Sequence, residues 1–113
     1  MKAIIIDAEK REVRETDISG DLKSLQAAVG GYIELVRLDD ANDLYVNEEG
    51  LLHGEQNFFE YQGAHQPFAG NGVIIGVTQE GATAPATISA EAVRGRVVFI
   101  SRANLARRFA GGE

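Results

Sequence analysis

The chain has 113 residues, 44% of them hydrophobic and 25% charged, which is typical of one folded domain and excludes a disordered protein. It contains no cysteine, which excludes disulfides, thiolate metal sites and a cysteine nucleophile. The formal net charge is −6, and the apolar run at residues 3–6 is too short for the core of a signal peptide or a membrane span. We therefore expect a single soluble, cytoplasmic domain over residues 1–113, with a frayed end at residues 110–113.

The first thirty residues predict a hairpin followed by a helix. Residues 3–6 form a buried strand, and residues 12–18, which are mostly charged, form its exposed partner. Ser19 or Asp21 then offers a side-chain oxygen to the free N–H groups of a helix start, and the glycine pair that begins at Gly30 ends the helix. The chain therefore opens ββα.

The middle of the chain predicts further strands. Residues 32–38 (YIELVRL) are rich in β-branched and aromatic residues, which indicates a central strand, and residues 44–46 indicate a short one. Residues 48–70 predict a loop with short extended pieces. Asn71 and the glycine after it are typical of a hairpin turn, and a buried strand follows at residues 73–77.

The last third predicts two short helices around one strand. Ser89 caps a helix at residues 90–94, a strand follows at residues 96–100, and Ser101 caps a C-terminal helix. The fold class is therefore α+β, with one mixed or antiparallel sheet that opens ββα in a β-grasp-like arrangement and with short C-terminal helices.

The charges are distributed unevenly along the chain. They nearly cancel over residues 1–37, residues 38–93 carry nine acidic side chains and no basic one, and residues 94–112 carry five arginines and no acid. Either the basic end folds back on the acidic middle, or both are solvated faces, or one of them meets a charged partner. The candidate basic patch consists of Arg94, Arg96, Arg102, Arg107 and Arg108.

The acidic residues do not fit a metal or catalytic pattern. The stretch DDANDLYVNEEG at residues 39–50 lacks, in both registers tested, the glycine and the final glutamate of an EF-hand loop. His53 and His65 have no convergent third ligand, and Glu48 and Glu49 face opposite ways on an extended chain. We therefore predict no metal, no cofactor and no catalytic residue, and favour a protein that is not an enzyme.

We interpret the acidic middle as a surface that binds another macromolecule, with an unidentified protein favoured over nucleic acid, and a homo-oligomer as a further option. Phe58 and Phe59 would be anchors if exposed, although at least one of the two is expected in the core. The candidate contact residues are Asn42, Asp43, Tyr45, Asn47, Glu48, Glu49 and Asn57.

Two other functions stay open. One is a small-ligand or catalytic site between the turn at residues 47–50 and the glycine-rich residues 63–76, lined by Glu48, Glu49 and His53. The other is an anti-restriction mimic of nucleic acid. Duplex DNA carries about one charge per 1.7 Å, and nine acids spread over residues 38–93 fall short of that density in a monomer.

Several stretches are similar to one known family: MKAIIID at the start, then VGGYIELV, NDLYVNEEGLL and GNGVIIG, of which NEEGLL is the most specific. Over residues 1–78 they resemble small uncharacterised proteins of bacteria, phages and plasmids, catalogued as a domain of unknown function with the number 3846. Where those proteins carry a Gly-Leu-Pro-Pro-Asn-like stretch, this chain has residues 54–57 (GEQN). The resemblance implies an accessory protein of mobile elements, soluble and cytoplasmic, and transfers no activity.

Overall fold

The computed structural model of the chain describes residues 1–49 and 54–111, and their side chains up to residue 107. Within these residues the chain forms strands and short helices. In chain order they are β1 (Lys2–Asp7), β2 (Glu12–Asp17), α1 (Leu22–Val29), β3 (Ile33–Arg37), β4 (Asn42–Asn47), β5 (Asn57–Tyr61), β6 (Phe68–Ala69), β7 (Gly72–Val77), β8 (Thr83–Ala84), α2 (Ala90–Arg94), β9 (Val97–Ser101) and α3 (Arg102–Gly111). No helix in these ranges has the length and apolar character needed to cross a membrane.

The larger sheet has the order β2-β1-β7-β4-β3, and the short β8 adds to β7. The pairings that build it are antiparallel. Strand β7 lies at the centre, where Val73, Ile74 and Ile75 are fully buried. Because successive side chains of a strand point to opposite faces, this sheet needs a cover on both sides.

Helix α1 covers one face of the larger sheet. Its Leu25 and Val29 pack against Ile5, Val73 and Ile75. The side-chain carboxylate of Asp21 accepts the N–H of Ser24 at 2.9 Å and caps the helix start, and Gly30 ends the helix in the left-handed conformation with φ 85°. The predicted helix and its end signals are confirmed.

A smaller sheet with the order β6-β5-β9 covers the opposite face. Phe59, Tyr61 and Phe68 of this sheet join the core that Ile4, Leu44 and Ile74 form on the larger sheet. On its outer face the small sheet meets α3, where Phe58 and Ile100 pack with Leu105. The molecule is therefore four layers deep, in the order α1, larger sheet, smaller sheet, α3.

The α+β class, the ββα opening and the short C-terminal helices are confirmed. The predicted sheet is accompanied by a second one, which β5, β6 and β9 form. In place of the β-grasp-like arrangement, the described strands pair antiparallel throughout, including β1 with β7. The segment at residues 48–70 was predicted as a loop with short extended pieces, and two of these pieces are the strands β5 and β6 of the second sheet.

Two further predictions need correction. Strand β3 is not central but lies at the edge of the larger sheet, and β4 occupies the interior position instead. Asn71 does not close a hairpin, because β6 and β7 lie in different sheets; its side-chain oxygen accepts the N–H of Ala8 at 3.0 Å and fixes the crossing between them.

Candidate functional site

Strand β3 leaves its outer edge without a partner strand in the described part of the chain. Its bonds to β4 include Glu48 N–H to the carbonyl of Tyr32 at 2.9 Å and Leu38 N–H to the carbonyl of Asn42 at 3.2 Å. Because ladder bonds alternate along an antiparallel strand, the backbone groups of Ile33, Leu35 and Arg37 point outward. We call residues 32–37, on this outer side, the β3 edge.

The β3 edge carries exposed apolar side chains beside acidic ones. Tyr32 is 63% exposed and Leu35 is 50% exposed, and Leu35 stands opposite the half-buried Tyr45. The acidic residues Glu34, Asp39, Asp40 and Glu48 are exposed on β3 and at the two ends of the β3–β4 pair. An apolar strip between carboxylates is suited to a partner that is both basic and apolar.

The opposite edge of the larger sheet, at β2, is closed in a different way. Helix α2 packs on this strand, and the Nη2 of Arg94 donates to the carbonyl of Val13 at 2.8 Å. The carbonyl of Val13 points outward from the sheet. Met1 and Ile18 form a bonded pair between β1 and β2, and because bonded pairs occur at every second residue, Val13 is not in one. Charged side chains and a covering helix are how proteins protect sheet edges, whereas β3 meets helix α1 on its face, through the side chain of Ile33.

Two of the predicted contact residues lie inside the protein. Asn42 and Asp43 are each 3% exposed. Asn42 exchanges hydrogen bonds with Thr87, and the carboxylate of Asp43 accepts from the Nε of Arg37 at 2.6 Å. These side chains hold the sheet and its loops together and lie beneath the surface.

The loop between β3 and β4 is ordered by Asp39. Its carboxylate accepts the N–H groups of Ala41 and Asn42 at 2.7 and 2.8 Å. The bond from Ala41 lowers the pKa of Asp39, against the opposing effect of partial burial, and Asn42 and the nearby charge of Arg96 lower it further. Asp39 is therefore an anion that orders this turn through its hydrogen bonds, and it lies near Arg96, one of the predicted basic residues.

Asn47 joins the turn after β4 to the end of α1. Its Nδ2 donates to the carbonyl of Val29 at 3.3 Å, and its Oδ1 accepts the N–H of Glu49 at 2.8 Å. Glu48 is exposed and Glu49 is half-buried.

Burial raises the pKa of the half-buried Tyr45, and the neighbouring Asp43 raises it further. In the strand register Tyr45 stands opposite Leu35 and Asn47 opposite Ile33, and the N–H of Glu48 donates to the carbonyl of Tyr32.

The remaining predicted contact residues lie on the smaller sheet, away from β3. Asn57 is half-buried and begins β5, where its carbonyl accepts the N–H of Gly70 at 2.9 Å. Phe58 and Phe59 are both buried, with Phe58 facing α3 and Phe59 facing the larger sheet. Neither ring is available as an exposed anchor.

The predicted basic patch is divided between structural and exposed arginines. Arg94 binds β2, and Arg102 donates through Nε to the carbonyl of Glu55 at 2.7 Å while its guanidinium lies 5.4 Å from the ring centre of Phe58. Arg96 and Arg107 are exposed. The side chain of Arg108 lies outside the described residues.

A cleft of about 550 Å³ opens between the end of β3 and the β5–β6 loop. Its apolar lining consists of Val36, Leu38, Ala64, Tyr61 and Phe68. Its polar lining consists of Arg37, Arg96, Gln62, Gln66 and His65, and Gly63 completes it. The sequence predicted Arg96 as part of a basic patch and residues 63–67 as part of a glycine-rich ligand site, but it placed neither beside residues 36–38.

A smaller cleft of about 260 Å³ lies where the turn at residues 47–50 meets the glycine-rich segment, but the predicted lining residues Glu48 and Glu49 are not among those that line it. The structure brings Asn47 together with Gly70 and Asn71 there, and Glu9 and Glu55 also line it. Gly50 and His53 lie outside the described residues. Within the described ranges, no three His, Asp or Glu side chains are grouped so that they would hold a metal ion.

Comparison with known proteins gives one match. Neither the curated proteins nor the solved structures contain a significant match to this chain. A family model described as "Domain of unknown function (DUF3846)" matches residues 1–97. The match confirms the resemblance seen in the sequence and extends it beyond residue 78, through α2 to the start of β9. The chain therefore belongs to the DUF3846 family.

Proposed function

We propose that the protein is a non-enzymatic accessory protein that binds a basic, extended segment of another protein along the β3 edge. The supporting observation is the open edge of β3, which presents Leu35 and Tyr32 at 50% and 63% exposure beside exposed carboxylates.

Backbone pairing supplies the first part of the binding. The outward N–H and C=O groups of Ile33, Leu35 and Arg37 are placed to form a ladder with an added strand. Each such bond contributes about 0.5–1.5 kcal/mol after exchange with water, so a few bonds alone give weak binding. Side-chain contacts must therefore supply the rest.

Apolar contact and charge supply the specificity. Leu35 and Tyr32 are surfaces for an apolar side chain of the partner, and aromatic residues frequently dominate the energy of an interface. Glu34 and Glu48 are exposed at this edge, whereas the positive Arg37 is already bonded to Asp43. The local charge therefore favours a segment with lysine or arginine, whose binding weakens as salt is added.

Strand β9, at the edge of the smaller sheet, provides an internal comparison. It exposes Val98 at 55%, but Arg96 and Arg102 flank it. Glu60 of β5 stands opposite Val98, so the β9 edge has one carboxylate between two arginines, whereas four exposed acidic residues surround β3. We therefore expect a basic partner to bind the β3 edge more tightly than the β9 edge.

A photo-cross-linking amino acid placed at residue 35 tests this choice in the native host. The matched control carries the same group at residue 98, and a second control carries it at the exposed Asp17 on β2. We expect a discrete cross-linked protein at position 35 alone, and mass spectrometry should map the link to a basic extended segment. Equal capture at positions 35 and 98, or capture of an acidic segment, would contradict the proposed function.

Leu35→Pro then separates backbone pairing from side-chain contact. Proline is tolerated on an edge strand where the N–H faces solvent, as it does at Leu35, but it removes the donor that an added strand needs. Leu35→Ala keeps that donor and removes the side chain. With the cross-linked partner purified, we expect Leu35→Pro to lower its affinity more than Leu35→Ala, and equal losses would show that no strand is added.

A further inference from the structure

The cleft beside Val36 and Leu38 is separate from the β3 edge, although both involve the same strand. Val36 and Leu38 pack with the core between the two sheets, whereas Ile33 packs with the core under α1. Because side chains alternate, Leu35 projects away from the cleft. A ligand in the cleft and a strand on the edge therefore occupy different sides of β3.

We propose that this cleft binds a small ligand with a flat apolar body and one anionic group, either a phosphate or a carboxylate. The volume of about 550 Å³ lies in the range of small-molecule sites, roughly 300–1,000 Å³. The half-buried Val36 and Leu38 and the buried Tyr61 and Phe68 provide an apolar surface for the body.

One arginine of the cleft, Arg96, accounts for the anionic group. Arg37 also borders the cleft, but its side chain lies on the same side of β3 as Leu35, where its Nε bonds Asp43. Arg96 is exposed and lies close enough to Asp39 to lower the pKa of that carboxyl. Planar guanidinium groups recognise phosphates and carboxylates through paired hydrogen bonds. Gln62 and Gln66 add amide donors and acceptors.

The hydroxyl of Tyr61 is a second, independent indication of a ligand. Tyr61 is 95% buried, lines the cleft, and its oxygen has no hydrogen-bond partner among the described residues. Buried polar groups are nearly always satisfied, and a lone one destabilises the free protein. This oxygen is screened from the open cleft, so a polar atom of the ligand reaches it once the side chains around it shift, and that contact would remove the penalty on binding.

Three probes test the chemistry of the ligand on the full chain: adenosine monophosphate, adenosine without the phosphate, and inorganic phosphate without the apolar body. 2-Naphthoate serves as the carboxylate counterpart. Binding is followed by NMR shifts of backbone amides during titration. We expect at least one of the two amphipathic anions to bind saturably, about tenfold or more tighter than adenosine or phosphate, with shifts in residues 36–38 and 61–68. If neither anion saturates, or if phosphate alone binds as well, the inference is wrong.

Substitutions test the roles of Arg96 and Tyr61 in ligand binding. Arg96→Gln should weaken binding about tenfold, the usual scale for loss of one charge-assisted contact, whereas Arg107→Gln removes an equally exposed arginine outside the cleft and should leave affinity unchanged. Tyr61→Phe should raise the thermal unfolding midpoint of the free protein and weaken binding, two opposite effects that a purely structural tyrosine would not give. Unchanged affinity in both Arg96→Gln and Tyr61→Phe would overturn the assignment. Cleft binding is measured without a protein partner, so failure here and failure of the proposed edge binding are distinguishable.

Discussion

Asn42 and Thr87, 45 residues apart in the chain, hold each other through two hydrogen bonds. The Nδ2 of Asn42 lies 2.7 Å from the Oγ1 of Thr87, and the N–H of Thr87 donates to the Oδ1 of Asn42 at 2.9 Å. The same amide group lies 3.3 Å from an oxygen of Asp39. One buried side chain thus ties the start of β4, the loop before it and the segment that leads to α2.

Asn42→Ala should destabilise the fold because it leaves the N–H of Thr87 without its partner. Removing one side of a buried hydrogen bond costs about 1–3 kcal/mol in the free energy of unfolding. Urea denaturation measures this loss. The same substitution at the exposed Asn104 is the control and should change stability by less than about 0.5 kcal/mol. Equal effects at both positions would show that the Asn42–Thr87 pair contributes nothing specific.

The pair of Arg37 and Asp43 should be strongly coupled. Asp43 is buried, so Arg37→Met leaves an acceptor in a poorly hydrated place and should cost about 1–3 kcal/mol. In a double-mutant cycle with Asp43→Asn, we expect a coupling energy of about 1–3 kcal/mol. The exposed pair of Lys2 and Glu15, 3.7 Å apart, is the control and should couple by less than about 1 kcal/mol. Similar values for the two pairs would contradict this expectation.

Gly76 has no space for a side chain. A Cβ at this position of β7 would overlap the carbonyl oxygen of Pro85, which follows β8. Gly76→Ala should therefore destabilise the protein by at least about 1–3 kcal/mol, the usual cost of overpacking. Gly95→Ala is the matched control, because Gly95 has right-handed helical angles and a Cβ there meets only ordinary contacts. It should be neutral or stabilising by up to about 1 kcal/mol, so a comparable loss at both positions would rule out the steric explanation.

Acid should destabilise the protein partly through Asp7. Burial by itself raises the pKa of Asp7, but the N–H of Lys10 and the guanidinium of Arg14 outweigh it and hold the pKa below 3.8. A carboxyl with a lowered folded-state pKa stabilises fully above its unfolded value and loses that contribution as the pH falls through the folded value. Stability should therefore fall as the pH drops below about 3.8.

Asp7→Asn checks this assignment when the free energy of unfolding is measured between pH 7 and pH 2. The variant should be less stable at neutral pH and should lose less stability below pH 3.8. Arg14→Met removes one of the groups that lower the pKa and should reduce the acid dependence in the same direction. Parallel curves for the wild type and Asp7→Asn would exclude Asp7 as a source of the acid sensitivity. Asp21 and Asp39, whose pKa values are also lowered, would keep part of the dependence.

The local signals in the sequence predicted the helices and strands well, but they predicted poorly which strands lie next to each other. Capping residues act within one turn, so Asp21 and Ser89 located α1 and α2 correctly. The residues of β3 indicated a strand, but β-branched and aromatic residues favour a half-buried pleated surface wherever it lies. They could not show that β3 is at an edge, nor that Phe58 and Phe59 begin a second sheet.

The candidate sites depended still more on long-range contacts. The acidic segment was visible in the sequence, but burial of Asn42 and Asp43 follows from partners at Thr87 and Arg37. The cleft brings residues 36–38 next to residues 61–68, and no local pattern encodes that approach.

The opposite directions of Phe58 and Phe59 make the length of β5 a stronger constraint than its composition. The ring of Phe58 packs under α3. The ring centre of Phe59 lies 5.3 Å from that of Phe68, between the two sheets. Side-chain direction along a strand repeats every second residue. Gain or loss of a single residue within β5 would therefore turn every later side chain of the strand to the opposite face, from the α3 side to the larger sheet or the reverse. Insertions and deletions among relatives should therefore concentrate in the loop at residues 62–67 and spare residues 57–61, even where the aromatic side chains themselves vary.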